Sequence, residues 1–399
     1  MKYALGLVLA AALTIAGCGG DGCSGEGCSG TGGGAGSGGS PSPGGPGGTG
    51  GDITEIELQV EDYILGLQRP WDIGWLPNGT VLVTERRGNL KVFVDGPDVA
   101  PLTLAIPNVR STGGEGGLMG LAVDPRFSDN GYVFLCMASN AGGGTDVRVR
   151  RLTMSRPDGD TIEASTDIIT GMPHNDGANG RHSGCRAVFG PDDYLWVGTG
   201  DAAIGSTPQD DDSLGGKVLR VDREGNAAPG NPGGRLWHSK GHRNIQGMAF
   251  RSDGIGMSAQ HGPNTDDEIN LLVEGNFGWD PVPGYNESVP MTDTVKFEDA
   301  VEAVWRTGRP TLALCGATFI EGRIWGDWDG RLAVATLKAT HLHVYDVDAE
   351  GNITNDFRVI EDQGRLRAVA QGPDGSVYIT TDGRRDGDRV LRVTPIPVN

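Results

Sequence analysis

Residues 366–382 read LRAVAQGPDGSVYITTD. Small and apolar residues run into a Gly-Pro-Asp-Gly turn, and a β-branched and aromatic run leaves it. Turn chemistry of this kind between two alternating runs is the signature of a β-hairpin. Five more stretches repeat the phrase: WDIGWLPNGTVLVTERRGNLKVFV at 71–94, GLMGLAVDPRFSDNGYVFLCMAS at 117–139, CRAVFGPDDYLWVGTGD at 185–201, IQGMAFRSDGIGMSAQHG at 245–262 and GATFIEGRIWGDWDGRLAVATL at 316–337. Several copies are followed by a third short strand, such as GNLKVFV, KVLRVD and RVLRV. Six copies give roughly 58 residues per unit, longer than a typical propeller blade of about 40–50, with long loops taking up the difference. Almost no segment has a helical period. The expectation is an all-β fold, a six-bladed β-propeller of four-stranded antiparallel blades over 53–399, since radial repetition leaves few exposed sheet edges. A seven-bladed ring and a two-sheet sandwich are the alternatives. The stretch TEIELQV at 54–60 is expected to join the blade made by the C-terminal strands and close the circle.

The segment before the repeats has another character. Residues 1–17, MKYALGLVLAAALTIAG, carry one early lysine and an apolar run too short for a membrane span, which reads as a signal peptide. The run ends in IAGC, small residues directly before Cys18, as in the lipobox of bacterial lipoproteins. The expectation is lipidation of Cys18 and anchoring to the exterior or periplasmic face of a bacterial membrane without spanning it. Residues 18–52 are mostly Gly, Ser and Pro, too polar to fold, and as a disordered tether they span on the order of 30 Å. Cys23 and Cys28 lie within this tether, and the sequence leaves their pairing open.

The net charge of −19 argues against nucleic acid and anionic membrane surfaces as partners. It suits a protein that handles neutral or cationic small molecules. Propellers bind ligands at one end of the central axis, so polar residues at equivalent loop ends matter most. His182 in NGRHSGCR precedes the third repeat, and GHRNIQG at 241–247 precedes the fourth. QHGPNTDDEIN at 260–270 follows the fourth hairpin, Lys338 follows the fifth, and RLR at 365–367 opens the sixth. Arg243, Lys338, Arg365 and Arg367 thus collect at matching loop ends of an acidic chain. Arginine forks suit carboxylates, so an anion-binding pocket is one reading and ordinary surface residues are the other. GPNTDDEIN is rich in oxygen ligands for a hard cation such as Ca²⁺, although its spacing is not that of an EF-hand. The bland reading is a turn with Asp266 and Asp267 solvated.

Taken together, PWDIGWLPNGTVLVTERRGNLKVF, GEGGLMGLAVDPRF, LGGKVLRVD, GHRNIQGMAF, HGPNTDDEINLLVEGNFGW and GRLRAVAQGPDGSVY resemble the soluble quinoprotein glucose/sorbosone dehydrogenases. These are six-bladed propellers that bind pyrroloquinoline quinone (PQQ) and calcium. The resemblance covers about residues 55–395. It implies that His182 is the catalytic base that takes the sugar's anomeric hydroxyl proton. It implies cofactor contacts from Glu115, Arg243, Asn244, Lys338, Arg365 and Arg367. Backbone carbonyls of Gly262 and Pro263 would hold the calcium, with a second, structural calcium near Glu268 and Glu287. Substrate would be an aldose, oxidised to a lactone, with an external quinone or cytochrome as electron acceptor. Four positions depart from the family's pattern. Glu115 stands where glutamine is usual, and Arg181 where a glucose-oxidising branch has a substrate-binding aspartate. Cys185 replaces a glycine and His261 a glutamine of that branch. A non-catalytic ligand-binding propeller and a calcium-dependent propeller lactonase are the rival functions.

Three cysteines remain in the repeats. Cys136 sits in an apolar strand and reads as a buried core residue. Cys185 and Cys315 each begin the first strand of a repeat, and the expectation is a disulfide between them, since exported proteins meet an oxidising compartment.

Overall fold

A computed structural model describes residues 56–383 and 387–396. The expected signal peptide, Cys18 and the tether lie outside the described residues. Six antiparallel sheets follow one another along the chain. The first holds Pro70–Trp75, Val81–Glu85, Asn89–Phe93 and Leu102–Ala105. The second holds Leu118–Val123, Tyr132–Ser139, Asp146–Met154 and Ile162–Met172. The third holds Gly184–Phe189, Leu195–Thr199, Lys217–Val221 and Trp237–Lys240, to which the short Gly275–Asn276 adds in parallel. Ile245–Phe250, Gly256–Gln260, Glu268–Leu271 and Trp305–Arg306 make the fourth. Leu314–Phe319, Leu332–Thr336, Leu342–Val347 and Ile353–Val359 make the fifth. In the sixth, Leu366–Gln371, Val377–Thr381 and Asp388–Pro395 are joined on the outside by Leu58–Leu67 from the other end of the chain. Leu58 faces Pro395 and Leu67 faces Asp388 in that last pairing. The N-terminal strand therefore closes the circle as its position implied, starting at Leu58 and running on to Leu67.

Each blade's first strand lies against the first strands of both neighbours, which makes the ring. Close packing at the axis depends on glycine. A Cβ on Gly120 would stand 2.2 Å from the Cys185 carbonyl oxygen, and one on Gly247 would stand 2.1 Å from that of Cys315. Apolar side chains of facing blades fill the six seams between them as six separate clusters. The core is thus a wheel of interblade layers, and the axis itself is left to polar groups. Asp72 pairs there with Arg186 at 2.6 Å.

The expected Cys185–Cys315 bridge is not formed. Cys185 is bonded instead to Cys136, with Cα atoms 5.4 Å apart, and Cys315 is a free buried thiol. The reason is the seam. Cys136 lies in the second strand of blade two and faces the first strand of blade three, both within one apolar cluster. Blade four stands between Cys185 and Cys315. Cys136 is therefore a core residue and a disulfide partner at once.

Candidate active site

A hairpin brings the start of its first strand and the end of its second to the same end of the blade. Five blades use those two places to line one axial cavity of about 530 Å³. Blade one supplies Arg69 and Arg86, blade two Glu115, blade four His261, blade five Ala313 and Leu337, and blade six Arg365, Arg367 and Asp382. The size lies in the range of small-molecule sites, about 300–1,000 Å³. Of the residues singled out from sequence, Glu115, His261, Arg365 and Arg367 line this cavity. Arg69, Arg86 and Asp382 were missed, although they occupy the same loop ends of their own hairpins.

Arg367 donates through Nε and Nη2 to Asp382 Oδ2, at 3.1 and 2.6 Å. Burial pushes the Asp382 carboxyl's pKa up, but Arg367, Arg365 and Arg69 outweigh it and hold it below its ordinary value. Glu115 follows the same logic. Burial raises it, but the neighbouring His182, His261 and Arg367 and the Asn244 amide outweigh that, so the balance falls below the ordinary carboxyl value. Asn244 Nδ2 donates to Glu115 Oε2 at 3.1 Å, and Asn244 Oδ1 accepts the Gly184 backbone N–H at 3.1 Å. Asn244 thereby joins the cavity floor to the loop that carries His182. Lys338 is exposed at the rim, past Leu337, and donates to Thr311 Oγ1 at 3.0 Å.

His182 has a left-handed backbone, φ +56°, and its carbonyl accepts the Ala202 N–H at 3.1 Å. A side chain at Gly200 would collide with that carbonyl, so only glycine lets the two loops pass. The ring's Nδ1 lies 2.7 Å from Asp201 Oδ1, and both side chains are buried. Tyr285 Oη donates to Asp201 Oδ2 at 2.7 Å, and Trp279 Nε1 to the same oxygen at 2.8 Å. Arg181 Nε stands 3.1 Å from His182 Nε2. A guanidinium only donates, so Nε2 is the acceptor and Nδ1 carries the proton given to Asp201. Sequence reading passed over Asp201. The signal was there: His182 precedes the first strand of the third hairpin and Asp201 ends the second, so the topology must bring them together. Tyr285 and Trp279 lie in a long insertion with no repeat to index them. Lys217 was also passed over. It is fully buried and donates to the carbonyls of Thr207, Pro208 and Gly215 at 2.7–3.0 Å. Thr207 Oγ1 in turn donates to the Asp201 carbonyl at 2.8 Å.

The presumed cation loop is built differently from a solvated turn. Asp267 is buried and accepts N–H bonds from Gly262, Leu312 and Ala313 at 2.6–2.8 Å, which staples blade four to blade five. Arg243 Nη1 donates to the carbonyls of His261 and Gly262, at 2.9 and 3.1 Å. Arg243 Nε is buried without a protein partner. Glu268 does not face the Gly262 and Pro263 carbonyls as a free ligand. Its Oε2 accepts Gln260 Nε2 at 2.8 Å, its Oε1 accepts Thr292 Oγ1 at 3.1 Å, and Arg306 Nε stands 3.4 Å from Oε1. Burial pushes its carboxyl up to about 7. Glu287, expected beside Glu268, pairs with Arg181 and Arg243.

The sequence model of the Glucose / Sorbosone dehydrogenase family matches residues 67–392. The chain is 31% identical to aldose sugar dehydrogenase YliI of Escherichia coli, over 82% of this chain and 91% of that protein. It is 31% identical to quinoprotein glucose dehydrogenase B of Acinetobacter calcoaceticus, over 79% of this chain and 84% of that one. Among solved structures, the PQQ-bound aldose sugar dehydrogenase of Streptomyces coelicolor superposes with a TM-score of 0.71 at 28% identity, covering 85% of this chain and 99% of that one. With its six blades and a match that runs from the first blade to the last, this chain belongs to the glucose/sorbosone dehydrogenase family.

Proposed function

We propose that the chain is a PQQ-dependent aldose dehydrogenase that oxidises the anomeric carbon to a lactone and passes the electrons to an external quinone or cytochrome. The observation that carries this reading is the cavity. Four arginines line it against two carboxylates, in a chain whose overall charge is strongly negative. Such a pocket suits a small polyanion, and PQQ is a tricarboxylate. Arg365 and Arg367 would hold its carboxylates, with Arg69 and Arg86 beside them, Arg243 offering its unpartnered Nε, and Lys338 at the rim. A lactonase or a passive binding surface gives no reason for this surplus of guanidiniums.

When bound, PQQ supplies the two-electron acceptor that no side chain provides. The chain's own part is proton transfer and positioning. Oxidation of a hemiacetal to a lactone removes the C1 hydrogen together with two electrons, which the bound quinone would take up, and the hydroxyl proton. His182 Nε2 accepts the hydroxyl proton, and the resulting imidazolium is stabilised by the buried Asp201 carboxylate on Nδ1. Trp279 and Tyr285 both donate to Asp201 Oδ2, and Tyr285 Oη also stands 2.9 Å from His182 Nδ1, so ring and carboxylate keep their relative orientation. Calcium would lie at the carbonyls of Gly262 and Pro263. Gly262 O already accepts a bond from Arg243, and a carbonyl oxygen has one further lone pair. Ca²⁺ takes six to eight oxygens, so most of its shell would come from cofactor and water. Glu268, bound to protein donors on both oxygens, is not in that set.

Reconstitution tests the reading. Protein stripped with EDTA should reduce dye with aldoses only after PQQ and Ca²⁺ are both restored, and lactone should accumulate. Undiminished oxidation in EDTA without PQQ contradicts it. The reading also gives Glu115 a sign. Glu115→Gln keeps the amide-accepting oxygen and removes a negative charge from the cavity. PQQ affinity should rise roughly tenfold, about 1.4 kcal/mol, in a fluorescence titration.

The location follows from the leader. We place the protein outside the cytoplasm, tethered to a bacterial membrane through Cys18. The IAGC stretch, the Gly-rich segment after it and the Cys136–Cys185 disulfide support this.

A further inference from the structure

The nitrogen that must receive the sugar's proton already has a partner. Arg181 Nε donates to His182 Nε2 at 3.1 Å, while Arg181 Nη2 pairs with Glu287. Nε and Nη2 form one edge of the guanidinium, the edge that fits both oxygens of a carboxylate. Here that edge is split between a neutral ring nitrogen and a single oxygen. The same Glu287 oxygen also serves Arg243. One carboxylate thus answers two guanidiniums. Burial pushes Glu287 up, but the two arginines outweigh it and bring its pKa down to about 2, so it is ionised at any working pH. The Arg181 side chain is 41% exposed and that of Arg243 only 3%, so Arg181 is the one of the two with room to move.

We propose that Arg181 makes the site selective for aldoses that carry a carboxylate, the uronic acids, and that their binding uncovers the base. The inference rests on the sugar dehydrogenase reading above. A substrate carboxylate takes both bonds of the Nε/Nη2 edge at once, which neither present partner does. Arg181 then leaves His182 Nε2, and that nitrogen is free for the sugar hydroxyl. The chemistry of the substrate allows this. In a pyranose, C1 and C5 flank the ring oxygen, so a carboxylate on C5 lies within one ring width of the anomeric hydroxyl. A neutral aldose has no group that competes for the guanidinium, and it meets a base still occupied. The chain's net negative charge does not forbid an anionic substrate. Charges beyond about 8 Å are largely screened at physiological ionic strength. At the site itself Asp201 is tied to His182, and the Arg181–Glu287–Arg243 group carries an excess positive charge.

The test compares glucuronate with glucose, and galacturonate with galactose, on the PQQ-loaded full chain and its Arg181→Gln variant. The wild type should show a higher kcat/KM for each uronate than for its neutral parent. Arg181→Gln should cut that ratio about 10- to 100-fold, the range for losing a charge-assisted hydrogen bond, chiefly through KM for the uronate. Arg181→Lys, a charge without the fork, should recover part of it. A wild-type ratio at or below one, or a ratio that Arg181→Gln leaves unmoved, overturns the proposal. Calorimetric titration of the cofactor-free chain separates this from failure of the enzymatic reading. Glucuronate should bind more tightly than glucose and lose that advantage in Arg181→Gln, even if no sugar is oxidised. Equal binding of the two sugars counts against Arg181.

Discussion

His182→Ala lowers kcat for aldose oxidation by about 10²- to 10⁴-fold, the usual worth of a positioned general base. The size follows from how the ring is held. Asp201 fixes Nδ1, Tyr285 and Trp279 fix Asp201, and the left-handed backbone at residue 182 sets the ring at the mouth of the blade. Alanine removes the only proton acceptor that this arrangement presents. PQQ affinity should change little, because the arginines of the cavity belong to other blades. Stopped-flow rates beside a PQQ titration check both statements. A variant that turns over at the wild-type rate denies His182 its role. A variant that no longer binds PQQ shows the ring to be a structural prop. Asp201→Asn should share the direction of the rate effect, since an amide no longer stabilises the imidazolium.

Replacing Cys136 and Cys185 together by serine should lower unfolding stability by about 4 kcal/mol on the chain-entropy view of a loop of this length. The bridge closes a loop of 49 residues in sequence separation across the seam between blades two and three. Serine hydroxyls also replace sulfur in an apolar layer, which adds to the loss. Denaturant titration of the double variant measures the difference, and fully reduced wild type should fall with it. Equal stability of oxidised and reduced wild type contradicts the bridge. Cys185 lies three residues beyond His182, and the turnover of the variant should therefore fall as well.

The ring of blades was legible because each hairpin carries its own turn, and a ring buries the faces of six such phrases while leaving few exposed sheet edges. Even the closure by the N-terminal strand could be read, from the TEIELQV stretch left over before the first repeat. Glu115 came only from the family resemblance, while the same indexing located Arg365 and Arg367. It should have located Asp201, Arg69 and Arg86 too, since they stand at equivalent loop ends. They were missed because the ends of the second strands were not indexed blade by blade. The disulfide was misread for a different reason. Which strands share a seam depends on the order of strands within a blade, and a cysteine in a second strand meets the first strand of the next blade. Tyr285 could not be read at all, Trp279 stood only as the last residue of a motif, and Glu287 was read beside a calcium and not as the partner of Arg181 and Arg243. They sit in a long insertion whose path over His182 is set by side-chain bonds formed only in the folded chain. Glu268 had the composition of a metal ligand, but it bonds Gln260 across its own hairpin and, from farther along the chain, Thr292 and Arg306.

The central claim is that the arginine-lined cavity holds PQQ and that sugar oxidation depends on it. Titrating PQQ into the cofactor-free full chain with Ca²⁺ present, while following dye reduction by a panel of neutral and acidic aldoses, tests it most directly. The rate should rise from zero to a plateau at about one PQQ per chain, in keeping with one arginine-lined axial cavity among the described residues. Replacing Arg365 and Arg367 by alanine should move the plateau to much higher PQQ concentration. Oxidation that proceeds without PQQ, or none with any aldose at saturating PQQ, would contradict the account.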